Sequence, residues 1–476
     1  MYSWVTLEQL RDWCQGQVLG NGTNHPVKTL CTDSRTIKRG DVFLALKGES
    51  FDGHEFLAEA ESRGAMALIS EKKVNAKIPV LLVKDTLKAL IQIGSGLRNE
   101  FQGKVIGVTG SAGKSSTKEM LAVLMGPHTV ASPASFNNLM GVSRTLCLVN
   151  DDTRHLVLEM GMNDFGEIAT LCETFRPQAG IITNIGDAHI GKLGGKDGIY
   201  RAKKEMFEYL SLKHAEAPLG VALNLDDALV EKAYQESFKS VIPTVTYSLL
   251  GKPADVHVRQ VEMDPNTAFL KLQVQVRKEA FEVTLPLFGL HHAQNLAAAT
   301  AGALLLGESL TDIRSRYAHL QAASHRGEMH LLKAGALLID ESYNSNPSAL
   351  LSSLTSLFAV SPKRRRILIL GDMFELGDFS ESLHTEVGKS LCSLLQKNGT
   401  PAWVLGVGKW VRHLIQPLKA GLSGVEASCV ETAEEVWPLL KSRIQPQDLL
   451  FVKGSRGVKL DKVVAAVKAS LGENRG

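Results

Sequence analysis

The chain has 476 residues, 44% of them hydrophobic and 22% charged, with a formal net charge of +3. This length suits about three domains, each able to bury its own core. The near-neutral charge argues against a nucleic-acid surface, so no nucleic-acid partner is expected. The six cysteines (Cys14, Cys31, Cys147, Cys172, Cys392 and Cys429) are scattered, with no Cys-x-x-Cys pair. They indicate neither a disulfide framework nor a zinc site. Glu8, Arg11 and Asp12 interrupt the N-terminus before an apolar core can form, and no run approaches the ~18 apolar residues that span a bilayer. A cytoplasmic, monomeric chain without membrane insertion is expected.

Residues 1 to about 100 read as a small α/β unit. Helical spacing runs from Val5 to Trp13 and again from His54 to Ala60, and strands are expected at Asp41–Leu46 and Ile78–Val83. Two polar clusters, Thr32–Arg35 and Lys47–His54, lie beside strand ends, where α/β sheets place ligands. The residues alone fit two surface turns equally well.

From Gly103 the chain alternates strand and helix in the manner of a parallel sheet. Val105-Ile106 leads into Gly107-Val108-Thr109-Gly110-Ser111-Ala112-Gly113-Lys114-Ser115-Ser116, and helical spacing follows through Met120, Leu121, Leu124 and Met125 to a stop at Gly126-Pro127. A glycine-rich turn between strand and helix, closed by Gly-Lys-Ser, suits a polyphosphate. Backbone N–H groups and the helix dipole meet the anion, the lysine reaches the outer phosphates, and the first hydroxyl can sit on Mg²⁺. The glycines fall at 107 and 110, whereas the common pattern puts one where Val108 stands.

Ser135-Phe136-Asn137-Asn138 comes next, then the buried run Leu156–Glu159, whose terminal carboxylate suits a second metal contact. Ile181–His189 delivers another polar cluster, and Tyr200–Leu210 is a helix carrying Lys203, Lys204 and Glu205. On the residues alone, Glu159 could equally leave the sheet for water, His189 could cap a loop, and both lysines could face solvent.

Alternating apolar residues over 255–288 predict antiparallel strands with one wet face, followed by an alanine-rich helix at Leu296–Leu306. A boundary near Gln321–Ser324 precedes a second open α/β unit. Its strands are expected at 336–340, 367–370, 402–407 and 449–453, and its helices at about 347–360, 380–396, 432–443 and 458–471. The basic run Lys363–Arg366 reads as a solvated strand entry. Three domains are expected, at 1–102, 103–322 and 323–476.

These clusters, in this order and across the whole chain, resemble the Mur ligase family of ATP-dependent amide-bond-forming enzymes. Four features carry the resemblance. They are Asp33-Ser34-Arg35 with Gly40–Gly48, the spacing Ala202-Lys203-Lys204-Glu205, Asp340-Glu341-Ser342-Tyr343-Asn344-Ser345-Asn346-Pro347, and Gly371–Gly377 followed by His384. The resemblance implies a small N-terminal UDP-binding α/β domain, a central P-loop ATPase-type sheet with added antiparallel strands, and a C-terminal Rossmann-like domain. It also implies the reaction that joins D-alanyl-D-alanine to a UDP-N-acetylmuramoyl-tripeptide through an acyl phosphate. Other Mur-type ligases, which add a single amino acid, and a non-catalytic nucleotide-binding protein are the alternatives.

By the same resemblance, Gly110–Ser116 would hold ATP, with Lys114 on the β/γ-phosphates. Ser115 and Glu159 would hold one Mg²⁺, His189 a second, and Lys203 would act as a CO₂-derived carbamate. Asn295 would contact adenine beside His291, Arg326 and Asp340 the ribose and γ-phosphate, and Asn138 the junction of nucleotide and substrate. Ser34, Arg35, Lys47, Asp52 and His54 would hold the UDP end, and the dipeptide would lie near Lys453–Arg456.

Overall fold

The computed structural model describes residues 1–22, 24–48, 51–186, 193–212, 218–238, 240, 242–265, 267–360, 364–398, 402–422 and 424–472. They form three sheets in chain order. The first has five strands in the order Gln17–Leu19, Val80–Leu82, Ala67–Ser70, Val42–Leu44, Leu30–Cys31, parallel except for the first pair. The helix Leu7–Cys14, capped by Thr6, and the long helix Thr86–Glu100 pack together against it. The stretch expected as a helix at His54–Ala60 is split into a 3₁₀ turn, Gly53–Phe56, and a short helix, Leu57–Ser62. Asp52 caps the turn by accepting from the His54 N–H, which favours the tighter winding.

The central sheet has nine strands. Strand Lys104–Thr109 lies between Ala179–Ile182 and His155–Glu159, parallel to both. The chain leaves it toward opposite sides of the sheet, and such a reversal opens a crevice at the strand's C-terminal end. Helices cover both faces, so Val105, Ile106 and Val108 are all buried. The last three strands, Val256–Met263, Leu270–Val276 and Glu279–Leu285, are antiparallel, as the alternation over 255–288 predicts. The alanine-rich helix His291–Leu305 lies close against helix Lys114–Met125. Its small residues permit that approach: a Cβ on Gly302 would stand 3.3 Å from Leu121 of that helix, and 2.9 Å from Ile181 of the sheet beneath.

The third sheet has six strands in the order Glu328–Leu331, Leu337–Glu341, Leu449–Lys453, Arg366–Gly371, Ala402–Val407, Glu426–Val430, parallel apart from the first. A continuous apolar cluster joins it to the central unit, where Phe288 and Phe451 bring their ring centroids within 6.1 Å. The three-part α/β architecture with mainly parallel sheets is therefore as the sequence implies.

The basic run before the fourth of these strands does not meet that expectation. Arg366 is fully buried, stacked 5.0 Å from the Phe358 ring and donating to the Val360 carbonyl, while Arg365 is paired with Asp448. Lys363 lies outside the described residues. Among the described residues, no helix is long and apolar enough to cross a membrane.

Candidate active site

The phosphate-type loop leaves the central strand at Thr109. Gly110 and Gly113 have φ of +146° and +79°, values that L side chains rarely adopt. A Cβ on Gly110 would stand 1.9 Å from Thr183 Oγ1, and one on Gly113 would stand 2.3 Å from Asn295 Oδ1. Gly107 is different: it lies within the strand, beneath Met160 and Met206, and is a packing glycine. The irregular spacing in the sequence therefore mixes one strand glycine with two loop glycines.

The neighbouring strand end ties the loop down. Ser111 N–H donates to the Asn184 carbonyl at 3.0 Å and Ala112 N–H to Asn184 Oδ1 at 2.9 Å. Thr183 Oγ1 and Asn184 Nδ2 donate to the Ala112 carbonyl at 2.6 and 3.0 Å. The amides of Ser111 and Ala112 are thus used inside the fold. Helix Lys114–Met125 has no side-chain cap, so its first N–H groups remain for an anion. Gly110→Ala is expected to displace this loop, at a cost of about 1–3 kcal/mol in strain. Thermal unfolding and nucleotide titration would register it as a lowered melting temperature and weakened ATP binding.

Lys114 is half-buried and donates to the Gly110 carbonyl at 2.7 Å. Burial lowers its pKa, with the nearby Glu159 charge opposing. Glu159, at the end of strand His155–Glu159, is 1% exposed. Its Oε1 accepts from Asn137 Nδ2 at 3.1 Å. Its Oε2 has no hydrogen bond and stands 3.7 Å from the buried Lys118 ammonium. Lys118 in turn donates to the Ser132 and Ala134 carbonyls at 2.7 and 2.6 Å, fixing the loop that carries Ser135 to Asn138. Asn138 caps the next helix by accepting from Gly141 N–H, and lines the cleft.

Helix Lys196–Ser211 separates its two adjacent lysines, because neighbouring helical positions face about 100° apart. Lys203 points into the cleft, is 1% exposed, and has no hydrogen bond or ion pair among the described residues. Burial, reinforced by the Lys114 charge, moves its pKa well below the ordinary lysine value. Lys204 points outward to Glu236 at 2.8 Å and Glu208 at 3.3 Å. Glu205 caps the helix Glu167–Phe175 by accepting from Gly166 and Ala169 N–H. His189 lies outside the described residues.

The third sheet supplies the facing wall of this cleft, whose volume is 990 Å³. Arg326 stacks 3.9 Å over the Tyr343 ring and donates to Ser135 Oγ, and the Tyr343 hydroxyl bonds the same oxygen. Ser135 therefore links two domains through groups far apart in sequence. Asp340 is fully buried and does not line the cleft. Its oxygens meet His325 Nδ1 at 2.7 Å and Ser342 N–H at 2.9 Å, so it braces the loop that carries Arg326. The next residue, Glu341, faces the cleft instead, since successive strand residues point to opposite faces. Burial pushes the Glu341 carboxyl upward, but Lys453 at 3.0 Å and His291 bring it below its ordinary value. Asn295 and His291 line the cleft from the central domain, each with a buried nitrogen lacking a hydrogen bond. Asp372 and His384 serve the fold: Asp372 accepts from Lys409 and Val411 N–H, and His384 bridges Met373 N–H and the Ser380 carbonyl.

The N-terminal candidates line no part of this cleft. Ser34 donates to Glu59 at 2.8 Å, and Arg35, largely exposed, pairs with Asp33 at 2.7 Å. That pairing holds the Asp33 carboxyl at about 2. His54 Nδ1 stands 2.6 Å from Asp52 while its Nε2 accepts from Glu71 N–H, and Lys47 forms a backbone bridge with Asp52. Asp52 and His54 thus close the loop that displays Lys47 on the surface.

Three family descriptions match the chain in succession: "Mur ligase family, catalytic domain" over residues 26–129, "Mur ligase middle domain" over 108–303, and "Mur ligase, glutamate ligase domain" over 325–456. The UDP-N-acetylmuramoyl-tripeptide–D-alanyl-D-alanine ligase of Synechocystis is 34% identical over 93% of this chain and 92% of its own. The ligase of the same description from Escherichia coli is 31% identical over 98% of both. Among solved structures, MurF from Acinetobacter baumannii superposes with a TM-score of 0.80 at 31% identity, covering 98% of this chain and all of its own. The MurF ligase of Thermotoga maritima in complex with ADP gives a TM-score of 0.75 at 26% identity, covering 93% and 97%.

Proposed function

The chain belongs to the Mur ligase family, and within it we propose that it joins D-alanyl-D-alanine to UDP-N-acetylmuramoyl-tripeptide with ATP, in cytoplasmic peptidoglycan precursor synthesis. The observation that carries this reading is the single cleft with Lys114, Glu159 and Lys203 on one wall and Glu341, Tyr343, Asn344 and Arg456 on the other. Similarity to ligases of that description extends over nearly the full chain.

The chemistry has two steps. A carboxylate oxygen of the tripeptide attacks the γ-phosphorus of ATP, and ADP leaves. The dipeptide amine then attacks the acyl carbon, and the tetrahedral adduct loses phosphate together with that same oxygen and a proton. Two anions must approach one another in the first step, so positioning and charge neutralisation dominate. Lys114 and the free amides of its helix take the β/γ-phosphates. Ser135, Arg326 and Tyr343 hold the two walls together over them.

The donor set fits a hard divalent cation: Glu159 Oε2 is a buried carboxylate oxygen without a hydrogen bond, and Ser115 is buried in the same cleft. Glu159, Ser115, His189 and a carbamate on Lys203 would hold Mg²⁺. When bound, the metal supplies charge neutralisation between phosphate and carboxylate. CO₂ adds only to a neutral amine, and the depressed pKa of Lys203 favours that form. Ser34, Arg35 and Lys47 would meet the UDP end from the N-terminal domain.

Phosphate release measured with the UDP-muramoyl tripeptide and either D-alanyl-D-alanine or single amino acids tests the reading. Turnover with the dipeptide alone is expected. Turnover only with a single amino acid would assign another Mur-type ligase, and ATP binding without turnover would assign a nucleotide-binding protein.

A further inference from the structure

Helix Lys114–Met125 carries two lysines one turn apart on the same face, Lys114 and Lys118. The first serves the phosphate loop. The second is 1% exposed, and the chemistry above leaves it without a task. An ammonium so deep is costly unless its partners are all in place. Lys118 donates to the Ser132 and Ala134 carbonyls at 2.7 and 2.6 Å, and two carboxylates stand beside it, Glu119 at 3.3 Å and Glu159 at 3.7 Å. Glu119 is 37% exposed, so water screens that pair. Glu159 is as buried as the lysine, and their attraction is unscreened. Each charge is what makes the other tolerable.

The contact is one of charge, since Glu159 Oε2 has no hydrogen bond. The rest of Glu159 is fixed without the lysine: Oε1 accepts from Asn137 at 3.1 Å, and the Glu159 N–H donates to Ser132 Oγ at 3.0 Å. The two carbonyls give Lys118 a separate role. Ala134 has φ of +46°, rare for an L side chain, and Lys118 holds it there by its carbonyl. The next residue, Ser135, meets Arg326 and Tyr343 of the facing wall. One ammonium thus joins the phosphate-loop helix, the Glu159 carboxylate and the loop that bridges two domains.

We propose that Lys118 is a positioning residue, the resident counter-cation of Glu159, so that a divalent metal must share this carboxylate with an ammonium. A metal alone then binds weakly. Phosphates at Lys114 and the helix start bring the negative charge that tips the balance, and metal and nucleotide load together. The inference rests on the reading above in which Glu159 holds Mg²⁺.

The test titrates Mn²⁺, a probe for Mg²⁺ followed by electron paramagnetic resonance, into the full-length protein at fixed bicarbonate. It is run with and without an ATP analogue that carries a methylene between its β- and γ-phosphates. Lys118→Met keeps the length of the side chain and removes its charge. Without nucleotide it is expected to bind Mn²⁺ roughly 10- to 100-fold more tightly than the wild type, the range for deleting a nearby unit charge at an effective dielectric of ~20. Its melting temperature should be lower in EDTA and should rise further on adding Mn²⁺ than that of the wild type. Glu119→Gln, which alters only the screened pair, should change neither quantity.

In EDTA, Lys118→Met should cost less stability in a Glu159→Gln background, because no buried carboxylate is then stranded. If the single variant does not fold, the double variant should. Unchanged Mn²⁺ affinity in Lys118→Met, or a double variant as unstable as the single one, overturns the inference and leaves Lys118 only a strut for the loop. Mn²⁺ binding with the nucleotide analogue that Glu159→Gln does not weaken would overturn instead the reading of Glu159 on which it rests.

Discussion

Lys203→Ala is expected to abolish phosphate release, and added formate or acetate to restore part of it. The side chain is buried in the cleft, has no anionic partner among the described residues, and sits near a second ammonium, Lys114. As a cation it would add repulsion to a site that already needs Lys114. As a carbamate it becomes a carboxylate facing that ammonium. The sign of the pH dependence follows. A lowered pKa keeps the amine neutral to lower pH than the ordinary ~10.4, so carbamate loading falls as pH drops through the folded-state value, and added bicarbonate opposes the loss.

The unmodified lysine also leaves a mark on stability. Between its lowered folded-state pKa and ~10.4 the unfolded chain binds a proton that the folded chain does not, so stability rises with pH across that window. Lys203→Met should remove that slope while still lacking activity. A ¹³C carbamate resonance formed from labelled CO₂ should be present in the wild type and absent in Lys203→Ala. Lys204→Ala, which breaks only the outward pairs to Glu236 and Glu208, should keep both the resonance and turnover. Full activity of Lys203→Ala would remove the carbamate from the account.

Lys114→Ala should lower turnover by at least ~10²–10³, the usual consequence of deleting one group that stabilises transition-state charge. Its side chain is half-buried in the cleft, and its hydrogen bond goes to a neutral carbonyl, Gly110. That charge is therefore not cancelled within the loop and is available to the phosphates. Arginine should not replace it, because a planar fork does not match a compact ammonium held between helix start and loop. Near wild-type turnover in Lys114→Ala would refute the phosphate-loop assignment.

What the sequence discloses follows the range of the interactions involved. The loop at Gly110–Ser116 is a local device: strand, glycines with positive φ, lysine and helix start are contiguous, and the motif reveals it. Strands such as Ala402–Val407 and Leu449–Lys453 are continuous apolar runs and were equally legible. The helix Thr86–Glu100 was not, because Gly94 and Gly96 interrupt its pattern. Both glycines are there to admit Ser143 and Trp13 at close range, a tertiary demand that overrides local propensity.

Adjacent residues posed a second limit. Asn137 reaches Glu159 while Asn138 caps a helix, and Glu341 lines the cleft while Asp340 braces a loop behind it. Composition cannot choose between neighbours whose side chains diverge with the backbone. The pairing of Ser135 with Tyr343 and Arg326 depends on the docking of two sheets, and no local pattern announces it. Arg366 misled because a run of like charge usually faces water, whereas here it opens a strand buried along its whole length, where the Phe358 ring and the Val360 carbonyl receive it.

The central claim is that a carboxylate is phosphorylated and then passed to an amine. Labelling the terminal carboxylate of the UDP-muramoyl tripeptide with ¹⁸O and analysing the released phosphate by mass spectrometry tests it most directly. The account predicts one ¹⁸O in each phosphate released in the presence of D-alanyl-D-alanine. Unlabelled phosphate, with turnover intact, would contradict it.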